Sequence, residues 1–389
     1  MKQVITTEKQ PIKLWLDDIE AGAFAQARNL ANLPFVFKHV ALMPDAHQGY
    51  GMPIGGVMAT EEVVIPNAVG VDIGCGMCAV RTSLASIAPE KLKSVLAEIR
   101  RTVPLGFKHH QHKQKESLMP HTDISLADLP MVAREYQSAL TQLGTLGGGN
   151  HFIEIQKGND GHIWLMVHSG SRNLGFKVAN HYNRLAIELN KRWGSKIPSN
   201  WQLAFLPIDS EAGQTYLQEM RYCVDFAYAN RLMMMERIKD ALLIVAVPVF
   251  FEPMINIAHN YAAMEVHFKK NVLVHRKGAT RAQAGEIGII PGSQGTPSYI
   301  VKGLGNRDSF ESCAHGAGRK MGRKQAQRQL NLDQEKKRLD DQGIIHALRS
   351  AGDLEEAAGA YKDIEQVIDD QLDLVEVLVE LRPLAVIKG

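Results

Sequence analysis

The stretch Glu311-Ser-Cys-Ala-His315-Gly316-Ala317-Gly318-Arg319 sets one imidazole among residues with almost no side chain, beside an arginine. Small residues let a bulky partner approach the ring and the backbone N–H groups. The Arg319 guanidinium offers a planar fork suited to a phosphate. A histidine in this setting can act as a covalent nucleophile toward phosphorus; it can equally cap a turn or satisfy a buried hydrogen bond. A second kind of chemistry lies in Val69-Gly-Val-Asp72-Ile-Gly-Cys75-Gly-Met77. On an extended strand Asp72 and Cys75 would face opposite sides. Gly74 and Gly76 let the chain bend and bring carboxylate and thiolate together. Such a thiolate can bridge two cations. The pair Cys75 and Cys78 also has the spacing of a redox or zinc-knuckle motif, but no second CxxC follows and Met77 opens a strand-like run.

Three more imidazoles stand in glycine- or asparagine-rich contexts. His151 follows Gly147-Gly-Gly-Asn150 and precedes the strand-like Phe152-Ile153-Glu154. His168 ends an apolar run before Ser-Gly-Ser-Arg172, and His259 precedes Asn260. Each alone reads as a structural histidine. With Asp72 and Cys75 they form a Cys/His/Asp set dispersed along the chain, as catalytic metal sites are and structural zinc sites are not. Mixed donors of this kind suit Mn²⁺, Fe²⁺, Co²⁺ or Zn²⁺. The loops Gly147–Asn150 and Pro291-Gly292-Ser293-Gln294-Gly-Thr296 can turn backbone N–H groups toward an anion or serve as plain tight turns. Neither is a Walker loop. Metal donors, anion loops and an isolated histidine together point to nucleotidyl or phosphoryl transfer.

The elements that must hold these residues do not alternate as βαβ units. Strand-like runs are expected at Val36–Met43, Met77–Thr82, Ile163–His168, Val272–His275 and Glu286–Ile290. Helical periodicity covers Glu90–Val103, Met131–Leu143, Lys177–Trp193, Glu211–Leu243, Met321–Leu330 and Tyr361–Gln371. The fold class expected is α+β, with a mixed or antiparallel core. The run Met233-Met-Met235 inside the longest pattern reads as core filling. At 389 residues and 45% hydrophobic content the chain can bury a large core. A net charge of +2 confines any nucleic-acid surface to a local patch. Four cysteines are too few for a disulfide framework, and no signal-like or membrane-spanning run occurs, so a cytoplasmic location is expected.

The chain resembles the RtcB family of GTP- and manganese-dependent RNA ligases. The resemblance rests on Met43-Pro-Asp45-Ala-His47-Gln-Gly, Val69–Gly76, Leu146–Phe152, His168–Arg172, His259-Asn260, Arg276-Lys-Gly278, Ile290–Ser293, Ser312–Arg319 and the terminal Val386-Ile-Lys388-Gly389, in the family's order. It implies one RtcB-like domain over residues 1–389; the sequence leaves the oligomeric state open, with a monomer without membrane contact the expectation. It implies that His315 takes GMP from GTP and passes it to an RNA 3′-phosphate, made first from a 2′,3′-cyclic phosphate where needed. A 5′-hydroxyl then displaces GMP, as in RNA repair or tRNA splicing. By position, Asp72, Cys75 and His151 would hold one Mn²⁺, and Cys75, His168 and His259 a second. The guanylate would meet Asn150, His151, Phe152, Ile153, Glu154, His259, Asn260, Pro291, Gly292, Ser293, Gln294, Ser298, Gly316, Ala317, Gly318 and Lys388. Val375–Leu381 would form a buried segment that fixes the Lys388 tail. A paralogue that guanylylates or hydrolyses ends without sealing, or one that only binds RNA, is the alternative. Of two basic clusters, Lys108–Lys115 reads as a solvated loop, and Arg319, Lys320, Arg323, Lys324 and Arg328 as the better RNA-phosphate track.

Overall fold

The computed structural model describes residues 1–389. Its core is a seven-stranded sheet in the order Ile255–Ala258, Gly76–Arg81, Ile163–Ser169, Phe152–Gly158, Val375–Lys388, Ser298–Gly303, Ile287–Ile290. Every neighbouring pair in it is antiparallel. The sheet curls until its two edge strands approach each other without pairing. A second sheet of six strands runs Gln3–Ile5, Ile12–Leu14, Val36–His47, Ile54–Thr60, Lys270–Lys277, Asn260–His267. It is mixed, because Ile12–Leu14 lies parallel to Val36–His47. The architecture is α+β, as the irregular order of elements predicts.

Period-two alternation divides the seven-stranded sheet into two faces. The outer face carries Cys78, Ile153, Leu165, Val167 and Ile387. They pack on the helices Pro89–Thr102 and Glu211–Val245 through Leu96, Ile99, Met234 and Ile238. Each such side chain, fully withdrawn from water, contributes roughly 1.5–3 kcal/mol before chain entropy is counted. The long helix starts where Ser210 Oγ accepts the Gly213 N–H at 3.1 Å, and it stops short of Pro248. Met234 and Met235 fill the core, with Met233 packed at its margin. The inner face holds a smaller apolar group, Met77, Phe152, Met166, Ile289, Ile300 and Leu381, beneath the rim that carries the site.

The six-stranded sheet supports the His315 segment. Arg276 has no solvent exposure and donates to Ser312 Oγ at 2.9 Å and to the Phe310 carbonyl at 3.0 Å. Its charge is met by Glu265, whose Oε2 lies at 2.9 Å. Ser312–Ala314 pairs with Ala279–Arg281 and leads straight into His315. Burial alone would raise the Glu265 carboxyl, but Arg276 and His267 hold it down at about 2. A depressed carboxylate stabilises the fold above its unfolded pKa of 4.5 and loses that contribution as pH falls toward 2. Glu265→Gln is therefore expected to cost about 3 kcal/mol at pH 7, with the gap from the native chain closing between pH 4.5 and 2 in urea titrations. A pH-independent difference would show that charge is not what Glu265 supplies.

Candidate active site

Antiparallel order brings distant residues to one rim. Cys75 immediately precedes Gly76–Arg81, and His151 immediately precedes Phe152–Gly158. His168 is near the end of Ile163–Ser169, and His259 directly follows Ile255–Ala258. Strands that start and strands that finish alternate along that edge, so all four side chains converge. The Cys75 thiol lies 3.4 Å from His151 Nε2 and 3.3 Å from His168 Nε2. His168 Nε2 lies 3.4 Å from His259 Nε2, and Asp72 Oδ2 lies 3.2 Å from His151 Nε2. The bend expected at Asp72–Cys75 is a turn closed by the Cys75 N–H on the Asp72 carbonyl at 3.1 Å. Cys78 faces the other way into the outer core and makes no pair with Cys75.

The rings are oriented by carbonyls behind them. His151 Nδ1 is 3.0 Å from the Leu146 carbonyl and His168 Nδ1 is 3.1 Å from the Asn150 carbonyl. A carbonyl only accepts, so His168 Nδ1 carries the proton and its Nε2 keeps a lone pair toward Cys75, while His151 Nδ1 also meets the donor Arg172 Nη1 at 3.1 Å. Burial pushes all three histidines below their ordinary value, so they are neutral near pH 7. Burial would raise Asp72, yet its contacts with His151 and the charge of Arg172 hold it at about 2. Burial, reinforced by Asp72, pushes the Cys75 thiol well up. His259 Nδ1 is buried with no hydrogen-bond partner. Donors around one cation with bonds of about 2.0–2.3 Å stand roughly 3.3–3.5 Å apart. The separations here match that figure, and buried Cys75, His151 and His168 form a group whose donors fit a metal ion.

His315 lies next to this cluster, its ring centre 4.7 Å from that of His259. Asp45, fully buried, receives the His315 Nδ1 proton at 2.6 Å and the His315 backbone N–H at 3.1 Å. Only Nε2 is left with a lone pair. Two glycines make the approach possible. Gly318 has φ +71°, and a Cβ there would lie 2.3 Å from the Asp45 carbonyl oxygen. Gly278 has φ +59°, and its Cβ would press on the His315 ring at 3.0 Å. Asp45 is the functional residue that reading the sequence missed. Its segment was visible as a motif, but nothing local links it to a histidine 270 positions away.

A group of polar side chains lines the inner face of the sheet. Phe152, Glu154 and Gln156 share the inner face, and Lys388 stands opposite Phe152 with its Nζ 5.4 Å from the ring centre. Burial raises Glu154 to about 7, against the pull of Lys388. Gln156 donates to Glu154 at 2.7 Å and to Ser298 Oγ at 3.2 Å, and Ser298 accepts the Gly292 N–H at 3.2 Å. Ser293 closes the turn to Thr296, and Gln294 donates to the Glu356 carbonyl at 2.9 Å. The Pro291 carbonyl borders Gly316. Gln294, Glu356 and Lys388 line a cavity of about 70 Å³ with Gly149. Ala317 is buried in the core beside this turn. Some expected residues are placed otherwise. The Ile153 side chain lies in the outer core. The Asn260 amide bridges the Asp72 carbonyl (3.0 Å) and the Gly278 N–H (2.7 Å). Arg319 is not a free phosphate fork, since it donates to the Met321 and Glu355 carbonyls and stacks on Tyr361. Exposed Arg323 reaches Gly149 instead.

A family model described as tRNA-splicing ligase RtcB matches residues 26–126 and 114–389. The chain belongs to the RtcB family. Among its relatives, the RNA-splicing ligase RtcB of Escherichia coli is 38% identical, covering all of this chain and 99% of its own. The tRNA-splicing ligase RtcB of Thermococcus kodakarensis is 34% identical, over 94% of this chain and 90% of its own. RNA-splicing ligase RtcB homolog 1 of Entamoeba dispar is 34% identical, over 94% and 81%. No helix of this RtcB chain is long and apolar enough to cross a membrane. Because a cation must displace the Cys75 proton, Mn²⁺ affinity should rise about tenfold per pH unit between pH 6 and 8. Calorimetric titration should show this slope in the native chain and lose it in Cys75→Ala. An unchanged slope in the variant would remove Cys75 from the donor set.

Proposed function

We propose that this RtcB chain is a GTP-dependent RNA ligase that joins 3′-phosphate or 2′,3′-cyclic-phosphate ends to 5′-hydroxyl ends through a covalent His315–GMP. The observation that carries the reading is the 2.6 Å contact of Asp45 with His315 Nδ1 beside the Cys75 cluster. With Nδ1–H held, His315 Nε2 attacks the α-phosphorus of GTP; the bond to the bridging oxygen breaks and pyrophosphate leaves. Asp45 fixes the tautomer and stabilises the positive ring that forms. An oxygen of the RNA 3′-phosphate then takes the GMP, returning the N–P electron pair to His315. The 5′-hydroxyl attacks the activated 3′-phosphorus, loses its proton and expels GMP. A 2′,3′-cyclic end is first opened by water. Two Mn²⁺ held by Asp72, Cys75, His151, His168 and His259 would neutralise phosphate charge and polarise the phosphoryl oxygens.

The rest of the site suits a guanylate. Lys388 donates and Glu154 accepts, complementary to the O6 acceptor and the N1–H and N2–H donors of guanine and mismatched to adenine. The Pro291–Gln294 turn and the Gly316–Gly318 backbone supply N–H groups for phosphates. The exposed cations of the helix Arg323–Gln329, Arg323, Lys324 and Arg328, suit the RNA backbone.

Incubation with α-radiolabelled GTP and Mn²⁺, followed by denaturing electrophoresis, tests the nucleotidyl step. The native chain should carry label and His315→Ala none. Asp45→Asn should retain metal but label more slowly by on the order of 10²–10⁴-fold, the loss expected when a histidine's orienting carboxylate becomes an amide. A native chain that binds Mn²⁺ yet takes no label would overturn the ligase reading.

A further inference from the structure

Phe107 is fully exposed, at 100%, in a chain whose other phenylalanines are at least partly shielded. It does not ride on a loose loop. On one side the Gly106 N–H donates to the Gly147 carbonyl at 3.1 Å, and the Leu146 N–H to Pro104 at 3.0 Å. On the other, the His110 N–H reaches Thr141 at 2.9 Å and the Gln114 N–H reaches Leu140 at 3.0 Å. Arg237 of the long helix ties the segment down, donating to His110 Nε2 at 2.7 Å and Gln114 Oε1 at 3.1 Å. A bulky apolar ring is held out in water on an anchored backbone.

Its place is at the mouth of the site. Gly106 borders Gly389, the residue after Lys388, and also Gly148. The Leu146 carbonyl behind that contact is the one that orients His151. Next along the same loop, Gly149 touches the guanidinium of Arg323. The rim thus runs from Phe107 through Gly147–Gly149 to the basic helix. The residues following Phe107 are exposed and cationic or polar: Lys108, His109, His112, Lys113 and Lys115. The exposed neighbours from Lys108 to Lys115 are cationic or polar, not the contiguous apolar patch a protein partner would need. A lone aromatic amid cations matches a single nucleic-acid strand, whose bases stack on it while phosphates meet the lysines.

We propose that Phe107 is a stacking platform for a base of the single-stranded RNA end delivered to His315, with Lys108, Lys113 and Lys115 meeting the adjacent phosphates. This rests on the ligase reading. In sequence the basic cluster lacked interleaved aromatics and read as a solvated loop; the structure puts Phe107 at its head and the whole segment against the active-site rim.

The test uses the full chain with a fluorescent ten-nucleotide 5′-hydroxyl RNA, without GTP, by anisotropy across a salt series. Phe107→Ala should weaken binding about tenfold, within the range of one lost base–aromatic stack, and leave the salt slope unchanged. Phe107→Tyr, which keeps the ring, should restore affinity. Lys113→Ser should instead flatten the salt slope by about 0.7. His315 labelling with GTP should be equal in all of these, since none touches the nucleotide pocket. Normal labelling with native RNA affinity in Phe107→Ala overturns this proposal alone. Equal weakening in Phe107→Ala and Phe107→Tyr overturns it too, because the ring would not be what matters. Absence of label in the native chain strikes the ligase reading, and the affinity series still decides the role of Phe107.

Discussion

Antiparallel pairing reverses direction at every step across a sheet, and the site depends on that reversal. A parallel sheet would present only strand ends of one polarity at its rim. Here Cys75 and His151 stand before their strands and His168 and His259 at or after the ends of theirs, yet all point into one space. The curl of the sheet supplies the rest, because it turns the inner face into a cup where Glu154, Gln156 and Ser298 are linked by hydrogen bonds. Sequence separation is irrelevant once register is fixed.

His315 comes from outside this sheet and must be brought to it at close range. Its surroundings allow that by omission at two points, where Gly318 faces the Asp45 backbone and Gly278 faces the His315 ring. The buried Arg276 then anchors the strand before His315. Histidine and carboxylate are held by two independent elements, so their contact does not rely on either loop being rigid by itself.

How much of this was legible in the sequence follows from the range of the interactions involved. Local periodicity located the helices, including Glu211–Val245, and the apolar strands such as Ile163–Ser169. Motif spacing picked out Asp72, Cys75, His151, His168, His259 and His315, which the fold does bring together. Asp45 carried no local sign, because its partner is remote in sequence. Arg319 misled in the opposite direction. A free guanidinium and one enclosed by carbonyls and a tyrosine look alike until the Glu355–Tyr361 segment is placed. The full length of Val375–Lys388 was also hidden, since Pro383 interrupts its pattern at a bulge, and the burial expected of Val375–Leu381 fails at Glu376–Leu378, which are exposed.

That strand has a further consequence for how the molecule assembles. It lies between Phe152–Gly158 and Ser298–Gly303, two strands made long before it. Until it arrives, both present bare backbone edges, which are templates for pairing with other chains. The sheet therefore closes only through contacts of great sequence separation, which are slow to form. A growing chain would pass through a stage with helices packed, histidines gathered and the cup split down its middle. The inner face would be missing one wall throughout that stage, so completion of the fold and completion of the site arrive together.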